Sequence, residues 1–192
     1  MADRPGAPER TALGTVAALW GIAGVVALLI RPIVPLAGEA ARSLDSPLTW
    51  VHWLFLGLWV PFMAWSEGYR GFHTRFAPRT AARAAWLAEN PTVMRVLLAP
   101  LVCLALVHVR RSTLIARVIL ISAIVGIIVA VRLLPTPWRG LVDVGVVVGL
   151  GWGALSVCWF GISALRGSPP DYDLSLPGTP APPRGRRGRQ TE

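Results

Sequence analysis

The sequence predicts an all-α, polytopic helical membrane bundle, and three observations carry that prediction. Only 15% of its 192 residues are charged while 54% are hydrophobic; a soluble domain carries about 25% charged. The apolar residues gather into five runs, at 11–36, 48–65, 96–109, 114–134 and 138–165. The basic residues, all 19 of them arginine, lie mainly at the borders of those runs, as membrane flanks do. A net charge of +9 invites a nucleic-acid reading, but this spacing favours lipid and makes nucleic acid an unlikely partner. Cys103 and Cys158 both sit inside apolar runs, which excludes a secreted disulfide scaffold. The length fits one compact unit.

A short polar N-terminus, 1–10, precedes a membrane domain at 11–166. Run one, Thr11 to Leu36, is interrupted only by Arg31. Its first twenty residues suffice, at about 1.5 Å per residue, for a hydrocarbon core of about 30 Å. That is too long for a signal peptide, so an uncleaved transmembrane helix is expected. Run two, Leu48 to Trp65, carries Trp50, Trp53, Trp59 and Trp65 as an aromatic belt. Pro61 should kink it or loosen its last turn. Residues 66–92 form a polar segment in which the alanine-rich stretch 80–88 reads as a helix on the membrane surface. Asn90-Pro91 stops it. Run three, Val96 to Val109, has fourteen residues and contains Pro100, which suits a re-entrant or tilted segment. Run four, Leu114 to Leu134, can span if Arg117 and Arg132 snorkel. Run five, Trp138 to Leu165, is the clearest span after the first. From Gly167 a Pro- and Arg-rich tail, 167–192, cannot form a core and reads as disordered.

Arginine counting separates two topologies. With four crossings and a re-entrant run three, fifteen arginines fall on the cytoplasmic side and four outside. With five crossings the numbers are nine and ten. The positive-inside rule therefore favours four transmembrane helices with both termini cytoplasmic. Five crossings remain the alternative, because Arg110-Arg111-Ser-Thr could be a tight turn between two spanning helices.

Close packing of small residues drives helix association in lipid. Run five carries Gly145, Gly149 and Gly153 at four-residue spacing, with Gly161 two steps further. Ser122, Gly126 and Ala130 in run four, and Gly14, Ala18 and Gly21 in run one, offer similar stripes. The first ridge would pack inside the bundle, or dock a larger membrane partner or a second copy.

Two stretches could carry chemistry. Glu67, Tyr69, Arg70, His73, Arg75 and Arg79 alternate aromatic, acidic and cationic groups just past a span. They would fix the depth of the chain or bind an anionic headgroup, with Glu67 orienting an arginine. Asp143, one turn into run five, needs a partner or water. Arg139, four residues earlier, would supply an intramembrane ion pair, or the carboxylate would handle protons or ions. The histidines and cysteines show no ligand spacing, so neither zinc nor haem nor another cofactor is indicated. No nucleophile elbow, phosphate loop or pair of catalytic carboxylates appears. The motif Arg184-Gly-Arg-Arg-Gly-Arg189 fits a tether to anionic lipid better than an RNA-binding segment.

The motifs EGYRGF at 67–72, FAPR at 76–79, LAPL at 98–101 and PWRGLVDVGVVVGLGWG at 137–153 occur in this order. The pattern resembles a family of small, uncharacterised bacterial inner-membrane proteins and implies that location, with no activity attached. Three functional readings follow: a non-enzymatic membrane subunit or scaffold, a small transporter or ion-handling protein, and an enzyme acting on lipid headgroups at Glu67 or His73. The missing catalytic constellation places the first ahead of the others.

Overall fold

The structure, a computed structural model, describes residues 11–104, 126 and 129–166. The expected N-terminal segment 1–10, most of run four with its small-residue stripe, His108, Arg110-Arg111 and the tail 167–192 lie outside the described residues. The described chain is all-helical. Helix α1 (Ala12–Leu44) begins where extended Thr11 accepts a 3.1 Å hydrogen bond from the Gly14 amide through Oγ1. It continues through Pro32 and Pro35, eight residues past the apolar run, because Glu39-Ala40-Ala41-Arg42 favours helix.

Helix α2 (Trp50–Met63) starts at Thr49, whose amide donates to Nδ1 of His52 at 3.0 Å, as the side chain of a capping box would accept. Pro61 does not end the helix. Its missing N–H breaks the regular ladder, and from Ala64 to Phe76 the chain adopts π-helical turns. Helix α3 (Ala77–Glu89) follows without interruption, with Pro78 in its first turn, where no amide donor is needed. Asn90 closes it by donating Nδ2 to the Trp86 carbonyl at 3.1 Å.

Over 66–89 the helix of run two continues without a break, and the alanine-rich stretch packs one face into the bundle. Ala77, Ala81, Ala82, Ala84, Ala85, Leu87 and Ala88 are all buried there. Hydropathy over this stretch is dominated by its arginines, whereas packing is decided by the alanine face, which lets neighbouring backbones approach closely.

The described part of run three forms two single-turn helices, α4 (Val93–Leu97) and α5 (Ala99–Cys103), broken at Leu98 before Pro100. They lie on α1, where Gly21 faces Ala99 and Cys103 and Gly24 faces Pro100. Arg83 of α3 ties this segment down by donating Nη1 to the Cys103 carbonyl at 3.2 Å. Residues 129–132 are helical, and α6 (Trp138–Leu165) follows. Helices α1 and α6 are each long and apolar enough to cross a membrane.

Contacts fix the directions of the helices. Gly140 of α6 meets Ser43 of α1 and Gly161 meets Ile22, so the two run antiparallel. The long helix 50–89 runs parallel to α6, pairing Trp59 with Val142, Phe72 with Gly153 and His73 with Ser156. The start of α1 and the end of α3 share one end of the bundle, where Gly14 meets Ala88. Ala81 and Ala85 pack with Ala164 near the end of α6. Between Asn90 and Trp138 the chain therefore passes from one end of the bundle to the other. The main core, around Ala18, Ile22, Val25, Ala77, Ala84, Ala88, Cys103 and Val157, joins α1, α3, α5 and α6.

Candidate functional site

Two polar constellations stand out, and both are built on α6. The first is a seam between its glycine ridge and the π-helical segment. Gly145 lies against the indole of Trp59 and against Met63, and Gly153 lies against the ring of Phe72. The relation reverses at Gly68, which receives Trp152 of α6. Each glycine is a notch for a large side chain of the opposite helix. Two polar contacts lock the register: Trp59 donates Nε1 to the Val142 carbonyl at 3.1 Å, and His73 Nδ1 lies 3.2 Å from Ser156 Oγ. Trp59→Phe keeps the ring and deletes the donor, so it should cost about 1 kcal/mol of stability, measured as a lower unfolding midpoint in detergent.

Of the residues singled out between 67 and 79, the structure brings Tyr69 and His73 together. Tyr69 stacks on His73 with centroids 5.6 Å apart, and His73 also touches Phe160 at 5.2 Å. Glu67 reaches over the ridge; a Cβ on Gly149 would fall 3.2 Å from its Oε2. Arg70 instead lies over Trp65 at 5.8 Å, and Arg75 and Arg79 are exposed. Glu67 does not orient an arginine: the ion pair among the described residues is Arg42–Glu39, at 3.0 Å. The π-helical turns are the reason, because they rotate successive side chains away from the positions that a 3.6-residue period would give them.

The second constellation lies where α1 ends and α6 begins. Gly140 is pressed against Ser43 and the Glu39 carbonyl. Asp143, one turn further along α6, is buried. Arg139 and Asp143 form no ion pair within 4.0 Å, which corrects the expected pairing. Four-residue spacing put them on one face, but Arg139 stands half-buried in the first turn of α6 while Asp143 is buried one turn on. Glu39 of α1 reaches this end of α6 through its main-chain oxygen, beside Gly140. Glu39 was invisible from sequence, since it followed an apolar run that was expected to end at Leu36. The signal was there in the helix-forming stretch 39–42, which carries a carboxylate and an arginine three residues apart.

Fold and site together define an all-helical chain with two membrane-competent helices and a glycine-notched interior. No family model matches the chain, and neither a curated protein nor a solved structure matches it.

Proposed function

We propose that the chain is an integral membrane protein of the bacterial inner membrane that acts as a non-enzymatic subunit or scaffold. The observation that carries this reading is the two-sidedness of α6. Its glycine ridge faces the rest of its own chain, while Leu155, Trp159 and Ile162 form an apolar stripe on the outside. Leu155 and Trp159 are 74% and 71% exposed, which suits a surface covered by lipid and by a neighbouring membrane helix. With the ridge occupied internally, association falls to this stripe.

Four crossings with both termini cytoplasmic is the topology that fits best. An even number of crossings makes the last span antiparallel to the first, as α6 is to α1; five crossings would make them parallel. The arginine count points the same way, and exposed Arg75 and Arg79 suit contact with anionic lipid. The family resemblance noted above supports the same location.

The test is purification in a gentle detergent followed by native mass spectrometry. A larger membrane partner, or a second copy, is expected at fixed stoichiometry and should be lost in Leu155→Ser, Trp159→Ser. A wild-type chain that emerges as a monomer, or an association untouched by the double variant, would overturn the reading. Alkaline phosphatase fused after Leu44 should be active and fused after Leu165 inactive.

A further inference from the structure

We propose that Arg70, Arg75 and Arg79 form a row that binds the phosphate of an anionic phospholipid on the flank of the bundle. The π-helical turns create the row. They close from an amide to the carbonyl five residues back, as from Ala77 to Phe72, so residues five apart come to one side. Trp65 and Arg70 show it, with the guanidinium 5.8 Å from the ring centroid. Arg75 stands five residues beyond Arg70, and Arg79 four beyond that, at the α-helical spacing that shares a face. All three are exposed, whereas Gly68, which receives Trp152, and Ala81, which packs with Ala164, mark the packed side of the same stretch.

Three like charges in one row repel, and among the described residues no carboxylate pairs with any of them. Their depth adds to the need for an anion. The row runs beside α6 between Trp152 and Ala164, along the second half of a helix long and apolar enough to cross a membrane. Hydrocarbon does not solvate a guanidinium, and a bilayer answers such a charge by thinning around it. Phosphate is the anion that the bilayer itself supplies, and the planar guanidinium fork matches it with two hydrogen bonds. The exposed rings of Trp65 and Tyr69 beside the row suit the boundary between headgroups and acyl chains. In the four-crossing topology this half of α6 leads to the cytoplasmic side, where the leaflet surface is negative. The inference rests on the membrane location proposed above and names the lipid group that the arginines meet there.

The experiment is native mass spectrometry of the full chain, stripped of lipid in detergent and titrated with phosphatidylglycerol, phosphatidylcholine or diacylglycerol of identical acyl chains. Phosphatidylglycerol should bind at fixed stoichiometry and more tightly than the other two. Each of Arg70→Gln, Arg75→Gln and Arg79→Gln should weaken it about fivefold and the triple variant about 100-fold, while exposed Arg132→Gln leaves it unchanged. Equal binding of the three lipids, or a preference untouched in the triple variant, would overturn the proposal. So would displacement of phosphatidylglycerol by an equal concentration of inorganic phosphate, since the row would then serve a free anion. Carbonate washing of membranes separates the site from the location on which it rests. A chain that washes off overturns both, whereas a chain that stays and binds the three lipids alike overturns the site alone. Should the triple variant not fold, the three single variants carry the test.

Discussion

Replacing Gly14 with alanine is expected to cost about 1–3 kcal/mol, the range for overpacking a close contact, and leucine there should prevent folding. The added Cβ would strike the Ala88 carbonyl oxygen, with the Ala88 carbonyl carbon 2.8 Å and Cα 3.1 Å away. All three atoms are backbone, so no rotamer change relieves the clash; α1 and α3 would have to separate. The same glycine amide caps the helix through Thr11, so a shift of the backbone also disturbs the start of α1. Gly38 and Gly57 supply the contrast, because nothing lies within 4 Å of a Cβ at either position. Alanine there should be neutral or should stabilise by about 0.5–1 kcal/mol through helix propensity alone. Unfolding midpoints in mixed micelles for the three variants decide the matter. A Gly14→Ala chain as stable as the wild type would show that α1 does not approach α3 as described.

The second large effect belongs to the ridge of α6, and it should be graded. Gly153→Ala places a Cβ 2.6 Å from Phe72 Cγ, on a ring held edge-on against Phe76 at 5.5 Å. Gly145→Ala collides with the indole of Trp59, which is pinned by its bond to Val142. Each should cost about 1–3 kcal/mol, because a packed aromatic ring cannot swing away. Gly149→Ala meets the flexible end of Glu67 at 3.2 Å and should stay within about 0.5 kcal/mol. Gly151→Ala points into open space and should be silent. The two severe positions are well separated along α6, so their costs should add and the double variant should not accumulate as folded protein. Equal effects at the three ridge positions would contradict the notch-and-ring packing. The loss should appear in the isolated chain, since the ridge serves the bundle itself.

Much of the architecture could be read from the residues. The boundaries of run five coincide with α6, its glycine spacing marked a face, and run one opened where α1 begins. Pro61 was legible as a disturbance, though its form, thirteen residues of π-helix, was not. Periodicity assumes one pitch, and a change of pitch re-aims every side chain beyond it. That is why Tyr69 and His73 part from Arg70, Arg75 and Arg79 although they alternate in one motif. The alanine-rich helix 77–89 was placed at the surface for a similar reason: its mean polarity is set by arginines, while its burial is set by the small residues between them.

Composition and run length by themselves pointed to an all-helical chain with helices long and apolar enough to cross a membrane, because helix length and hydropathy depend on local sequence alone. Direction and pairing were decided by the tertiary structure. Only there do Ser43 and the Glu39 carbonyl come up to Gly140, from about a hundred residues away in the chain. Only there is Arg139 left standing off from the carboxylate that its spacing had assigned to it. An ion pair depends on which way each side chain faces at an interface, and an interface between distant helices is written in no single stretch of chain.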